Sequence, residues 1–313
     1  MKKFDFENKN HHQRLSGDAD QVEIDAVRLG SATIDSGIQD ELIAGVMDDF
    51  INDDGDQMEW AERDMANDSA TTGIVGEINR RVQTLGELYP FSVEGNSLRP
   101  KDDFDSITYK YCLAISVQTQ ISKTPFTLLP RTFELVAKDF CAAHFGPYAK
   151  SEHTGWPRSR DDQPKIYKDL AECLNKLTKE WIWKPAEGLT NQDSRHIKDN
   201  GIDFITWLES PDEEPGKLFI LGQCACGEDW TEKYNDIDVK RLTDWFSPLW
   251  VEPVKAFCTP YALVQANIWD AGRSAGLVYD RLRITALSGN FEGKLPDSLL
   301  QSMRDCVDLV VKQ

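Results

Sequence analysis

The sequence predicts an α/β protein: a mixed sheet flanked by helices, preceded by a mainly helical, acidic N-terminal region. Three observations predict it. From residue 130 onward the hydrophobic spacing reads helix, helix, strand, strand, helix, strand and a helical tail, an order that lays helices on a sheet. The two consecutive strands are joined by a short turn, Ser210 to Gly216, which permits a hairpin, and the helix between Cys226 and Val254 permits a crossover to a parallel strand. Residues 1–70 carry 18 Asp+Glu against 6 Lys+Arg, so −12 of the chain's net charge of −18 sits in one block and the remainder is close to balance.

The totals bound the function. The 313 residues suit one large domain or two ordinary ones, and 40% hydrophobic residues with 9 Trp are enough for a real core. The chain has no apolar run of about 18 residues, so no membrane-spanning helix is expected. The start, MKKFDFENKNHHQRL, has lysines but no apolar stretch of the secretory kind. Seven cysteines, an odd count without such a signal, suggest reduced thiols in a cytoplasm. The overall acidity argues against a simple nucleic-acid coat, although the balanced remainder could present a basic groove.

Residues 1–125 read as the helical N-terminal region and 126–313 as the α/β domain. Residues 1–30 are polar and mixed, and the start is expected to be poorly ordered. Leu42, Val46, Met47 and Phe50 form a helical stripe over Asp40–Ile51. The acidic turn that follows is not an EF-hand loop: with Gly55 at loop position six, Phe50 and Ala61 fall where carboxylates are required. Ile74, Ile78, Val82 and Leu85 predict a helix over Thr72–Leu88, Pro90 and Gly95 bracket a short extended piece, and Tyr109–Val117 reads as helix.

In the second part, Phe133, Val136, Ala137 and Phe140 share one helical face between Pro130 and Gly146, with Glu134 expected in the first turn, where a carboxylate favours the helix dipole. Lys165–Trp183 is amphipathic, and Ser151–Gln163 between these helices reads as a polar loop. Asp203 opens the first apolar strand run, and Leu218–Leu221 is the second, ending at Gln223. Asp238–Phe246 returns to helical spacing, Val254–Thr259 reads as strand, Ile268–Gly276 as helix or loop, Tyr279–Leu287 as strand or helix start, and Leu299–Val311 as helix. Cys224 and Cys226 lack a second pair in reach and read as buried thiols rather than zinc ligands; Trp245 reads as core. No P-loop or GxGxxG is present.

The chemistry centres on Lys198–Lys233. Asp203 at a strand start and Gln223 at the end of the next strand would meet if the hairpin pairs in register, and carboxylate and amide oxygens suit a hard cation. The arrangement of Glu134, Asp203 and Gln223 resembles the PD-(D/E)xK restriction-endonuclease-like superfamily over roughly residues 130–290. GQCACGEDWTEK looks like a third motif of the form Q-x-A-x-G-x-x-W-x-x-K found among bacterial defence-associated nucleases of that superfamily. The resemblance implies a helix, a three-stranded meander, a helix and a further strand. It implies Mg²⁺ (or Mn²⁺) held by Glu134, Asp203 and Gln223, and nucleic acid, with DNA expected, as substrate. Two positions after Gln223 stands Ala225 where the superfamily expects lysine; Lys233, or Lys198, is the replacement candidate. Arg158, Arg160 and Lys165 are candidate phosphate contacts, and the acidic N-terminal block is a candidate groove cover, protein-docking or self-association surface. Two other readings stay open: a catalytically silent nucleic-acid-binding or assembly subunit, and a mainly helical interaction protein without a site.

Overall fold

The computed structural model describes residues 6–34, 56–101, 106–155, 167–189 and 200–312. In chain order its helices are α1 (Phe6–Leu29), α2 (Asp56–Leu85), α3 (Ile107–Ser116), α4 (Leu128–Phe145), α5 (Tyr167–Thr178), the single turn α6 (Val239–Leu242), α7 (Gln265–Ala275), α8 (Arg281–Phe291) and α9 (Asp297–Val311). The strands are β1 (Ala32–Thr33), β2 (Phe91–Glu94), β3 (Ser97–Pro100), β4 (Ala149–His153), β5 (Phe204–Leu208), β6 (Phe219–Cys224), β7 (Val254–Cys258) and β8 (Leu277–Tyr279).

The larger sheet has the order β4-β5-β6-β7-β8. β4, β5 and β6 form an antiparallel meander, and β7 and β8 add in parallel. Alternation along β6 sets its two faces. Ile220 turns towards Phe133, Val136 and Phe140 of α4 and the core shared with α3, α8 and α9. Phe219 and Leu221 turn towards Leu170 and Leu174 of α5, with Trp181 and Trp245. Under β7 and β8, Phe257 and Val278 pack on Ala271 of α7 and on Trp230. The sheet is thus covered on both faces, with the β5–β6 end nearest α4 left accessible.

The N-terminal part packs α1 and α2 with a small antiparallel sheet, β1-β3-β2. Leu15, Val22, Ile78 and Leu98 meet Leu113 of α3 and Leu282 of α8 in one cluster. Within it lies a buried ionic network. Arg281 makes a bidentate pair with Asp20 at 2.8 and 2.6 Å. Arg81 Nη1 lies 2.7 Å from Asp20 and 2.9 Å from Glu23, and Arg81 Nε bonds Glu77 at 2.9 Å. The Tyr89 and Tyr109 hydroxyls donate to Glu23. Part of the acidity of the first block is therefore consumed inside the fold by two arginines rather than displayed.

Several expectations change. Residues 1–5, at the start expected to be poorly ordered, lie outside the described residues, and the polar, mixed stretch after them forms α1, whose polar inner face is satisfied by Arg81 and Arg281. The helix expected from Thr72 begins at Asp56 and ends at Leu85. Ser151–His153, read as loop, belongs to β4, a polar edge strand paired with β5 on one side. The strand-or-helix stretch after Tyr279 resolves as β8 followed by α8, capped by Asp280, whose side chain accepts from the Arg283 N–H at 3.0 Å. Glu134 lies in the second turn of α4, because the helix starts at Leu128 and takes Pro130 into its first turn, where the missing N–H costs nothing. Trp245 is core, as expected, stacked on Trp183 at 5.4 Å. The stripe over Asp40–Ile51, and Arg158, Arg160, Lys165 and Lys198, lie outside the described residues.

Candidate functional site

One open cleft of about 630 Å³ is lined by Glu134, Asp203, Gln223 and Lys233 together. They arrive from α4, from the residue before β5, from the end of β6 and from the 3₁₀ turn Trp230–Asn235. The antiparallel register pairs Phe204 with Gly222, which sets Asp203 opposite Gln223 at one end of the hairpin.

Asp203 is held from three directions. Its N–H donates to the Gly222 carbonyl at 2.8 Å, and its own carbonyl accepts from Thr154 and Gly155, both at 2.8 Å. Its Oδ2 accepts from the Cys224 N–H at 2.6 Å. Just upstream, Asn200 and Gly201 both take positive φ, 57° and 76°. That turn brings the chain against the Asp236 backbone so closely that a Cβ on Gly201 would stand 3.1 Å from the Asp236 carbonyl oxygen. Asp236 in turn orients Gln223: the amide Nε2 donates to Asp236 Oδ2 at 2.8 Å. An ionised carboxylate only accepts, so the nitrogen of the amide must face Asp236, which leaves the carbonyl oxygen as the other end.

Glu134 is oriented by a residue that sequence reasoning missed. Its Oε2 lies 2.8 Å from His153 Nε2 on β4, both side chains largely buried. Gly155 lies beneath the pair, and a Cβ there would approach Glu134 Oε2 to 2.5 Å. The β4 sequence AKSEH has no apolar alternation, so no periodic signal marks His153 as a strand residue facing the helix.

The third motif acquires a structural reading. Ala225 has no exposure and packs with Trp230, Phe257 and Leu263, so the position at which the resemblance would expect lysine points into apolar core. Trp230 is buried in the same cluster and anchors the turn from which Lys233 reaches the cleft. Lys233 Nζ lies 4.0 Å from Asp229 Oδ1, an exposed pair that constrains it little. Cys224 and Cys226 also line the cleft. Burial, and for Cys224 the neighbouring Cys258 thiol, push their thiols well above the ordinary range, so they stay protonated. All seven cysteines are free.

Among the described residues no group of three or more His, Cys, Asp and Glu converges to hold a metal ion. Of the five carboxylates that line the cleft, Glu134 and Asp203 stand with the Gln223 amide oxygen as the donor set the resemblance points to. This hard donor set fits Mg²⁺, which keeps several waters and needs only one or two protein carboxylates beside substrate oxygens. No helix among the described residues is long and apolar enough to cross a membrane. Comparison of the chain with family models, with curated proteins and with solved structures yields no match.

Proposed function

We propose that this protein is a metal-dependent nuclease of the restriction-endonuclease-like class, hydrolysing phosphodiester bonds with DNA as the expected substrate. The observation that carries the proposal is the convergence of Glu134, Asp203, Gln223 and Lys233 on one cleft from four separate segments. The succession of α4, an antiparallel β4-β5-β6 meander and a parallel β7 supports it; it departs from the order the resemblance implies in that α5 is inserted between β4 and β5 and only the single turn α6 precedes β7.

In this reading Asp203, Glu134 and Gln223 would hold Mg²⁺ or Mn²⁺, which when bound supplies a polarised phosphoryl oxygen and an acidified water. The chain's own residues do the rest. The Cys224 N–H fixes the rotation of the Asp203 carboxylate, His153 fixes Glu134, and Asp236 fixes the Gln223 amide. Water adds to phosphorus in line as the bond to the ester oxygen breaks, the proton it sheds and the one the departing oxygen takes up are exchanged with solvent in the open cleft, and the Lys233 ammonium stabilises the charge that accumulates on the phosphoryl oxygens. A role within a bacterial anti-phage defence system follows from the motif resemblance and belongs to the same proposal.

A second reading, a catalytically silent nucleic-acid-binding or assembly subunit, draws on Ala225, whose burial leaves the lysine position of the superfamily unfilled. Incubating the full chain with plasmid DNA, single-stranded DNA and RNA in Mg²⁺ or Mn²⁺ separates the two. Cleavage that disappears in Asp203→Asn supports the nuclease. Absence of cleavage on every substrate, together with retained binding, supports the silent subunit.

A further inference from the structure

One wall of the cleft is built by the segment joining α3 to α4. Thr119, Ile121 and Ser122 line the cleft there, together with Pro130. The segment is a run of tight turns closed by its own hydrogen bonds: Gln120 N–H to Gln118 Oε1 at 2.9 Å, Lys123 N–H to the Gln120 carbonyl at 2.9 Å, and Leu129 N–H to the Phe126 carbonyl at 3.0 Å. Phe126 and Leu129 are buried and pin its end to the core. The wall is thus a fixed surface.

Its polar groups are uncommitted. The Thr119 and Ser122 hydroxyls are exposed and have no hydrogen-bond partner among the described residues. Lys123 follows Ser122, and Arg131 follows Pro130, so both flank the cleft lining rather than belong to it. Both are exposed, and neither has a carboxylate partner among the described residues. This is unlike Lys138, Lys168, Lys179 and Lys312, each beside an acid. The opposite wall carries Glu228, Asp229 and Asp236, with Lys233 close to Asp229. A polyanion entering the cleft is repelled by that wall and attracted by the 117–131 wall. Two hydroxyls that line the cleft, followed along the chain by two cations, make a donor set for phosphate oxygens.

We infer that the 117–131 wall is the track for the nucleic-acid backbone that flanks the scissile phosphate, with Lys123, Arg131, Thr119 and Ser122 touching phosphates irrespective of sequence. The inference rests on the nuclease reading for the position of the scissile phosphate, but the track holds the backbone whether or not the chain cuts.

The test is oligonucleotide binding by fluorescence anisotropy across a salt series, with the full chain carrying Asp203→Asn and with EDTA present. Adding Lys123→Ala and Arg131→Ala is expected to weaken binding about tenfold near 0.1 M salt. It is also expected to lower the slope of log K against log salt by about 1.5, at roughly 0.7–0.9 for each phosphate that is no longer neutralised. The weakening is expected to be equal across sequences. Thr119→Val with Ser122→Ala is expected to weaken binding without changing the slope. The control Lys176→Ala with Lys179→Ala removes the same charge at the far end of the β5–β6 hairpin, near Glu214, and is expected to change neither. Equal affinity and equal slope for the Lys123/Arg131 variant and its parent would overturn the track. Wild type that cuts in Mg²⁺ while that variant binds normally defeats the track and leaves the nuclease reading standing. Wild type that never cuts while the variant loses affinity defeats the nuclease reading and supports the track.

Discussion

The main-chain N–H of Cys224 donates to Asp203 Oδ2 at 2.6 Å, tying the last residue of β6 to the acid that precedes β5. Removing the carboxylate therefore has two separable effects. Asp203→Asn keeps an acceptor oxygen of the same size, so its stability is expected to stay near wild type while metal-dependent cleavage falls at least about a hundredfold. Asp203→Ala strips the partly buried N–H of its partner and is expected to cost about 1–3 kcal/mol as well. Thermal melts beside a plasmid cleavage assay check both; equal cleavage by wild type and Asp203→Asn would remove Asp203 from the site.

Lys233 and Ala225 are expected to be non-interchangeable. Lys233→Ala should lower cleavage about a hundredfold with little change in melting, because the side chain is partly exposed and its pair with Asp229 is long. Ala225→Lys places a long charged chain among Trp230, Phe257 and Leu263, at an expected cost of about 3–5 kcal/mol. The double variant should not recover activity. Recovery would mean that position 225 opens to the cleft after all.

Gly155→Ala offers a way to displace the Glu134 carboxylate without changing any group that lines the cleft. The added methyl meets Glu134 Oε2 at 2.5 Å and His153 Nε2 at 3.0 Å, so the buried pair must part and the expected cost in stability is about 1–3 kcal/mol. Displacing the carboxylate by about an ångström should still cost on the order of a hundredfold in rate. His153→Ala, which releases the same carboxylate from its partner, is expected to act in the same direction. Denaturant melts and initial rates on one substrate are the measurements.

Asp18 makes a pH signature outside the cleft. Burial first, and the neighbouring Asp20 second, raise its carboxyl from 3.8 to about 7, against a smaller opposing pull from Arg14. The folded chain thus holds a proton that the unfolded chain has already released between those values. The stability this group contributes is full below the lower value and is lost as pH rises through about 7. Asp18→Asn is expected to flatten the stability profile between pH 5 and pH 8, in the sense of raised stability at the alkaline end. Urea melts at pH 5, 6, 7 and 8 on the two chains check it, and parallel profiles would refute it.

How far the sequence reaches can be seen residue by residue. β5 and β6 are legible because both carry unbroken apolar runs and their turn is rich in Pro, Asp and Glu; that also sets Asp203 opposite Gln223. Lys233 is found through the motif, and the structure adds why the motif holds a tryptophan. β4 is not legible, since an edge strand reading AKSEH has no alternation to detect, and His153 goes unseen with it. The order of α1 is not legible for a different reason. Its inward face carries Asp20 and Glu23, which look like solvent residues until Arg81 and Arg281 are known to face them.

The pairing of Asp20 with Arg281 also sets a clock. The two residues are 261 positions apart. At roughly 5–20 residues per second, synthesis needs about 13–50 s to produce the arginine after the aspartate has emerged. For the first 61 residues of that interval the acidic face of α1 has neither arginine, and for the rest it has Arg81 without Arg281. The apolar side of α1, with Leu15 and Val22, has its partner Ile78 early in synthesis, whereas its charged side gains the second arginine only when nearly the whole polypeptide has been made.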